Sequence, residues 1–183
     1  MSDCSLLHYL YLAYLSRPAC DRQLYRGLRS WRAGSIVELG MGDAARTRRM
    51  LQIAKRYSSA QNVRYTGIDL FEARPTQQPA FPLKTAHQQL QIAGVRLQLA
   101  PGDPLSALTR LANTLVGTDL LLVSAGVDAE SLERAWFFVP RMLHERSRVL
   151  REERTASGSL LRSLTLAEIH KLAALQKPQR RVA

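Results

Sequence analysis

Apolar and polar residues follow two different periods along this chain, and the period changes at turn-forming residues. The first apolar run, Leu6-Leu-His-Tyr-Leu-Tyr-Leu-Ala-Tyr-Leu15, is too short to span a bilayer. The only charge before it is Asp3, so a secretory leader would lack its cationic start. It reads as a helix that is buried or faces a partner. Arg17-Pro18 breaks the pattern, and a second helix follows with Leu24, Leu28 and Trp31 on one side and Arg22, Arg26 and Arg29 at helical spacing on the other.

From residue 36 the pattern becomes strand, turn and helix, repeated. Ile36–Leu39 is a short apolar strand, and Thr47, Met50, Leu51, Ala54 and Tyr57 give the next helix its apolar face. Val63–Ile68 reads as a second strand ending at Asp69, followed by a proline-containing loop (Arg74–Pro82) and a helix facing inward through Leu83, Ala86 and Leu90. Val95, Leu97 and Leu99 alternate as a third strand, which Pro101-Gly-Asp-Pro104 stops. Pro104 suits the first turn of a helix bearing Leu108, Leu111, Ala112 and Leu115. Asp119–Ser124 is a continuous apolar strand of the kind buried on both faces. Asp128–His144 reads as a helix interrupted or ended by Pro140, Arg148–Arg151 as a fifth strand, and Thr165-Leu-Ala-Glu168 as a capping box opening a last helix through Leu175. A frayed tail, Lys177–Arg181, closes the pattern.

This alternation predicts an α/β fold: a Rossmann-like, doubly wound, mainly parallel sheet with helices on both faces. Few residues remain after the fifth strand, so the sheet is expected to stop at five or six strands. A single domain is expected, with residues 1–32 as an N-terminal helical segment packing on a core formed by residues 33–183.

Composition changes the picture in two ways. The net charge is +11, almost all of it from arginine, since Lys55, Lys84, Lys171 and Lys177 are the only lysines. Such a charge attracts RNA, other nucleic acid or an acidic partner, and the Arg22, Arg26 and Arg29 stripe is the best local candidate for that surface, although its spacing fits a plain solvated face better. The two cysteines, Cys4 and Cys20, form neither a CxxC pair nor a cluster with histidine. They read as free thiols in a reducing, cytoplasmic compartment. No metal is expected, and a dimer is compatible with the sequence.

The chemistry concentrates at strand ends. Gly40 and Gly42 form a turn between the first strand and its helix, where backbone can approach a ligand and helix N–H groups point at it. In an open parallel sheet the ligand lies beyond the carboxyl ends of the strands, where the strand order reverses. Glu38, Asp69 and Asp103 fall at three such ends, although Asp69 and Asp103 can equally cap a loop and a helix. Gly40-x-Gly42-x-x-Ala45 also meets the looser dinucleotide fingerprint. A pyrophosphate there would sit beside Glu38 and Asp43, with no base in the turn before Arg46, and this charge pattern disfavours it.

Glu38-Leu-Gly-Met-Gly42, Gly67-Ile-Asp69, Gly102-Asp103 and Asp119-Leu-Leu-Leu-Val-Ser-Ala125 resemble the successive motifs of the class I S-adenosylmethionine-dependent methyltransferases, over residues 33 to 150. Asp69-Leu-Phe-Glu72 with Thr47 is similar to the macrocin O-methyltransferase-like branch. The resemblance implies S-adenosylmethionine as cofactor, with Glu38, Gly40 and Gly42 at its methionine part, Asp69 and Leu70 at the ribose, Gly102 and Asp103 at the adenine, and Ser124 at the end of the fourth strand. An acidic rim would suit the cofactor's ammonium and sulfonium. Where metal-dependent relatives of that branch carry an aspartate, this chain has Ser124, so the resemblance implies metal-independent transfer to an unidentified acceptor. Asp128 is the best-placed general base, whereas His87 and His144, in helical segments, read as surface or packing residues. The competing reading is a non-catalytic protein of this fold that binds RNA or an acidic partner through its arginines.

Overall fold

In a computed structural model the described residues are 4–42, 44–156 and 158–176. Asp3, Asp43 and the 177–181 tail, all read above, lie outside them. One sheet of six strands runs through the molecule: β1 (Ser35–Leu39), β2 (Val63–Asp69), β3 (Val95–Pro101), β4 (Thr118–Val123), β5 (Leu143–Thr155) and β6 (Gly158–Leu164), in the order β3-β2-β1-β4-β5-β6. The first five strands are parallel and β6 runs antiparallel to β5. The chain winds outward from β1 to β3 and then returns to lay β4 on the other side of β1. That reversal opens a crevice between the carboxyl ends of β1 and β4.

Alternation along the central strands divides the core in two. Ile36, Tyr65, Leu120, Leu122 and Leu150 face one side, where α1 (Leu6–Tyr14), α2 (Cys20–Trp31), α3 (Ala45–Tyr57) and α4 (Leu83–Leu90) pack. Val37, Leu39, Ile68, Leu121, Val123 and Val149 face the other, under α5 (Pro104–Leu111), α6 (Ala129–Ala135) and α7 (Leu166–Leu175). β1 is buried along its whole length, as a central parallel strand covered on both faces must be. Tyr9, Leu12 and Ala13 of α1 and Leu24, Tyr25 and Leu28 of α2 share one cluster with Ile36 and Met50, so the N-terminal helices are part of the core. The opposite face of α1 leaves Leu7, Tyr11 and Tyr14 exposed. None of the described helices is long and apolar enough to cross a membrane.

Two elements differ from the sequence expectation. The helix expected over Asp128–His144 is α6 alone, and a 3₁₀ turn at Val139–Arg141 follows it. Pro140 lacks an amide hydrogen, and the buried Trp136 and Val139 turn the chain into the core. The fifth strand runs over thirteen residues where four were expected; its ends are rich in charge because they are solvated, and only Ser147, Val149 and Leu150 are buried. His144 therefore sits in a strand and not in a helix, with its Nε2 3.0 Å from Asp119 Oδ1. Asp119 in turn accepts the Gly34 and Ser35 amides at 2.8 and 2.9 Å, which ties the start of β1 to β4. β6 makes the sheet six-stranded, within the five or six strands expected, and pairs antiparallel with β5 as an edge. The capping box is present as read: Thr165 Oγ1 accepts the Glu168 amide at 3.2 Å, and Glu168 Oε2 accepts the Thr165 amide at 2.8 Å.

Candidate functional site

Beyond the carboxyl ends of β1, β2, β4 and β5 lies an open cavity of about 600 Å³, within the usual range for a small-molecule site. Its floor is the turn that follows β1. Gly40 has φ +78°, and a Cβ there would lie 2.7 Å from Val127 Cγ2, so glycine is needed both for the turn and for the approach of the loop after β4. Gly42 has φ +59° with nothing within 4 Å of an added Cβ: its backbone faces open space. Ala44 adopts φ 63° ahead of α3, a conformation that costs any side-chain-bearing residue.

Glu38 lies behind this floor and does not line the cavity. It is fully buried and accepts hydrogen bonds from Thr47 Oγ1 at 2.7 Å and Tyr65 OH at 2.8 Å, with Arg46 at 3.5 Å. Burial pushes its carboxyl pKa up, and Arg46 opposes that shift. Arg46 is the hub of the site. Its guanidinium reaches Glu152 at 2.8 Å, donates to Ser124 Oγ, and lies 4.0 Å from Asp21, so one side chain joins α2, α3, β1, β4 and β5. For Glu152 burial is outweighed by the Arg46 hydrogen bond, which holds the carboxyl below its ordinary range; for Asp21 burial dominates and the pKa rises.

Asp69 is held more completely. Its carboxylate accepts from the Met41 amide (2.8 Å), the Phe71 amide (2.9 Å), and Arg74 Nε and Nη2 (2.7 and 2.8 Å) in a two-pronged pair. Burial opposes ionisation here, but Arg74 and the two amides prevail and lower the pKa. These four bonds occupy the acceptor positions a carboxylate has. Arg74 also lies over the Phe81 ring at 5.1 Å, which fixes the far side of the guanidinium.

A smaller recess adjoins the cavity, lined by Leu70, Gly102, Asp103, Val127 and Asp128 among others. Asp103 caps α5 through the Ser106 amide (3.1 Å) and accepts Ser131 Oγ; burial works against these bonds but loses, and its pKa falls to about 2. Asp128 caps α6 through the Ser131 amide at 2.7 Å and stands on this recess, away from the arginines described below. Ser124 donates to the Gly40 carbonyl and locks the glycine turn to β4.

The fold thus gathers Gly40, Gly42, Asp69 and Ser124 around one cavity and Leu70, Gly102, Asp103 and Asp128 around its neighbour. It does not produce the acidic rim expected from the sequence. Asp21, Asp69 and Glu152 line the cavity, and each faces an arginine, while Arg17, Arg46, Arg49, Arg74 and Arg154 line it as well. The charge argument against an anionic ligand therefore does not carry over to the folded chain. In the sequence only the short spacing from Asp69 to Arg74 hints at this pairing; nothing local marks Arg46 as a hub, and Glu152 lies on the charged end of β5, beyond the apolar core that signals the strand. The Arg22, Arg26 and Arg29 stripe is also partly engaged. Arg22 Nε donates to the Ser16 carbonyl at 2.7 Å, Arg26 lies 5.9 Å from the Tyr14 ring centre, and Arg29 lies 5.6 Å from those of Tyr9 and Tyr57.

No protein-family model and no curated protein matches this sequence. Solved structures do. A methyltransferase from Geobacter sulfurreducens aligns with TM-score 0.51 and 21% identity over 76% of this chain and 61% of its own, so the chain spans less than two thirds of that protein. A TehB-like SAM-dependent methyltransferase from Corynebacterium glutamicum aligns with TM-score 0.50 and 15% identity, covering 91% of this chain and 77% of that one. A precorrin-6y C5,15-methyltransferase from Geobacter metallireducens aligns with TM-score 0.50 and 14% identity over 88% and 75%. At these identities the likeness is one of architecture: this chain has the Rossmann-like α/β fold that these methyltransferases share.

Proposed function

We propose that the protein is an S-adenosylmethionine-dependent methyltransferase, and that it transfers the methyl group without a metal. The observation that carries this reading is the Gly40–Gly42 turn, open to a cavity at the β1/β4 reversal, with Asp69 at the end of the neighbouring strand. The open face of Gly42 suits the methionine part of the cofactor, and the recess at Leu70, Gly102 and Asp103 suits the adenine. When bound, the cofactor supplies an electrophilic methyl group on a sulfonium. The residues named here bind and orient it; rate comes from holding a nucleophile in line with that methyl. Asp128 is already a helix cap on the adenine side, so no proton transfer is assigned to it. The macrocin O-methyltransferase-like branch remains our finer assignment and rests on Asp69-Leu-Phe-Glu72 and on Thr47, whose hydroxyl holds Glu38.

Asp69 can serve ribose hydroxyls only if Arg74 gives up at least one of its two bonds. Arg74 then competes with the cofactor. Titration calorimetry with S-adenosylmethionine and S-adenosylhomocysteine should detect binding to the native chain, weaker binding to Asp69→Asn by about tenfold or more, equivalent to about 1.4 kcal/mol, and tighter binding to Arg74→Ala. Absence of heat with both ligands, in the native chain and in Arg74→Ala alike, removes the cofactor assignment and leaves the non-catalytic reading.

A further inference from the structure

The cavity carries more positive charge than its own carboxylates neutralise. Asp69 is matched by Arg74, and Asp21 and Glu152 both turn to Arg46. Arg17, Arg49 and Arg154 line the same cavity, and among the described residues none of the three has a carboxylate within ion-pair distance. They come from three separate places: the α1–α2 connection, the middle of α3, and the end of β5. None of them lines the recess at Gly102 and Asp103, which shares only Gly40, Asp69, Gln78 and Gly126 with the larger cavity. The arginines therefore occupy the end of the site away from the recess. Arg17 and Arg154 are exposed and Arg49 is half-buried, so all three can be reached by a ligand in the cavity.

Guanidinium groups pair two-pronged with planar carboxylates and with phosphates, and several of them converging on a partly enclosed space strengthen that attraction. We propose that Arg17, Arg49 and Arg154 form a binding site for an anionic group, and that the methyl acceptor is a small molecule held there by a carboxylate or phosphate. The anion is the handle by which the acceptor is positioned and is not itself methylated. The assignment of this anion to the acceptor rests on the methyltransferase reading; the anion site itself does not. Asp21, Glu152 and the buried Glu38 share Arg46, and Asp21 also feels Arg49, so these carboxylates offset part of the arginine charge; with Asp69 paired to Arg74, five arginines face four carboxylates and the cavity keeps a net positive charge.

The test uses the full chain, with and without saturating S-adenosylhomocysteine. It is titrated at constant ionic strength with inorganic phosphate in one arm and benzoate in the other, chloride serving as the control anion. Saturable one-to-one binding of phosphate or benzoate, weakened about tenfold or more by Arg154→Ala and by Arg17→Ala, is the expected result, and the tighter of the two probes identifies the headgroup. Arg49→Gln is the third variant, since it keeps the polarity of a half-buried position. Binding no stronger than that of chloride, or binding indifferent to all three substitutions, overturns the proposal. If the substitutions weaken S-adenosylhomocysteine itself to the same degree, the arginines hold the cofactor's own carboxylate and the acceptor assignment falls. If the anions bind with these losses while S-adenosylhomocysteine gives no heat, the anion site stands and the cofactor reading fails.

Discussion

Arg46 shows how one side chain sets the character of a site. Four elements present polar groups to it, and two of its partners, Glu38 and Asp21, are almost wholly withdrawn from water. Removing one partner of a buried ion pair typically costs about 3–5 kcal/mol, because the other charge stays buried without compensation. Arg46→Met should destabilise the chain on that scale in urea unfolding at neutral pH. Burial raises the pKa of Glu38 and Asp21, and Arg46 is the main influence opposing it, so the variant's carboxyls should be raised further. A folded state that binds protons more tightly than the unfolded chain gains stability as pH falls. The deficit of Arg46→Met should therefore shrink as pH is lowered from 7 toward the ordinary glutamate value of 4.5. A deficit independent of pH would mean that Arg46 acts by packing alone.

At the scale of elements, the C-terminal third was read least well, and its energetics are the most local. β5 and β6 form a hairpin in which β5 borrows its inner face from β4 and β6 pairs only with β5. β6 is thus an edge, and α7 packs Ile169 into the second cluster, with Leu166 and Leu172 against it. The start of α7 depends on Thr165. Its loss leaves the Glu168 amide without a partner, and Thr165→Ala should cost about 1 kcal/mol in a thermal or urea melt, with the loss confined to this element in hydrogen exchange. Loss spread evenly over the sheet would show that α7 does not open separately. The capping box was legible because it is a local motif four residues long. The full length of β5 beside it was not, because its charged ends carry no apolar alternation that would extend the Arg148–Arg151 core.

Over the whole molecule, the charge of +11 is the property that composition states most plainly and the fold qualifies most. Several of its arginines are engaged within the fold: Arg46 and Arg74 pair inside the cavity, Arg56 donates to the Cys4 carbonyl at 2.7 Å, and Arg26 and Arg29 lie on tyrosine rings. The reading in which the basic surface holds RNA makes a separable prediction. Binding to single-stranded RNA should fall linearly on a log–log salt plot, and each of Arg22, Arg26 and Arg29 that contacts a phosphate should contribute a slope of about 0.7. Substituting all three with no change in slope, or finding no binding at low salt, would remove that surface from consideration.

The sequence by itself determined the alternation of strands and helices, the first four strands, the glycine turn and the capping box, because each is written in contiguous residues whose spacing or backbone demand is local. Gly40 must be glycine for reasons visible within its own turn, and the strand Leu120–Val123 announces its burial by having no polar face. The electrostatics of the site were decided by tertiary structure alone. Asp69 looked available in the sequence and is occupied in the fold, since Arg74 folds back on it across the 3₁₀ turn and the Met41 amide reaches it from another strand end. Arg46 meets Glu152 across 106 residues and Asp21 across two helices. A charge read along the chain has only its neighbours; a charge in the fold has whatever the sheet order brings within a few ångströms, and that order is what turned an expected acidic rim into a cavity lined with arginine.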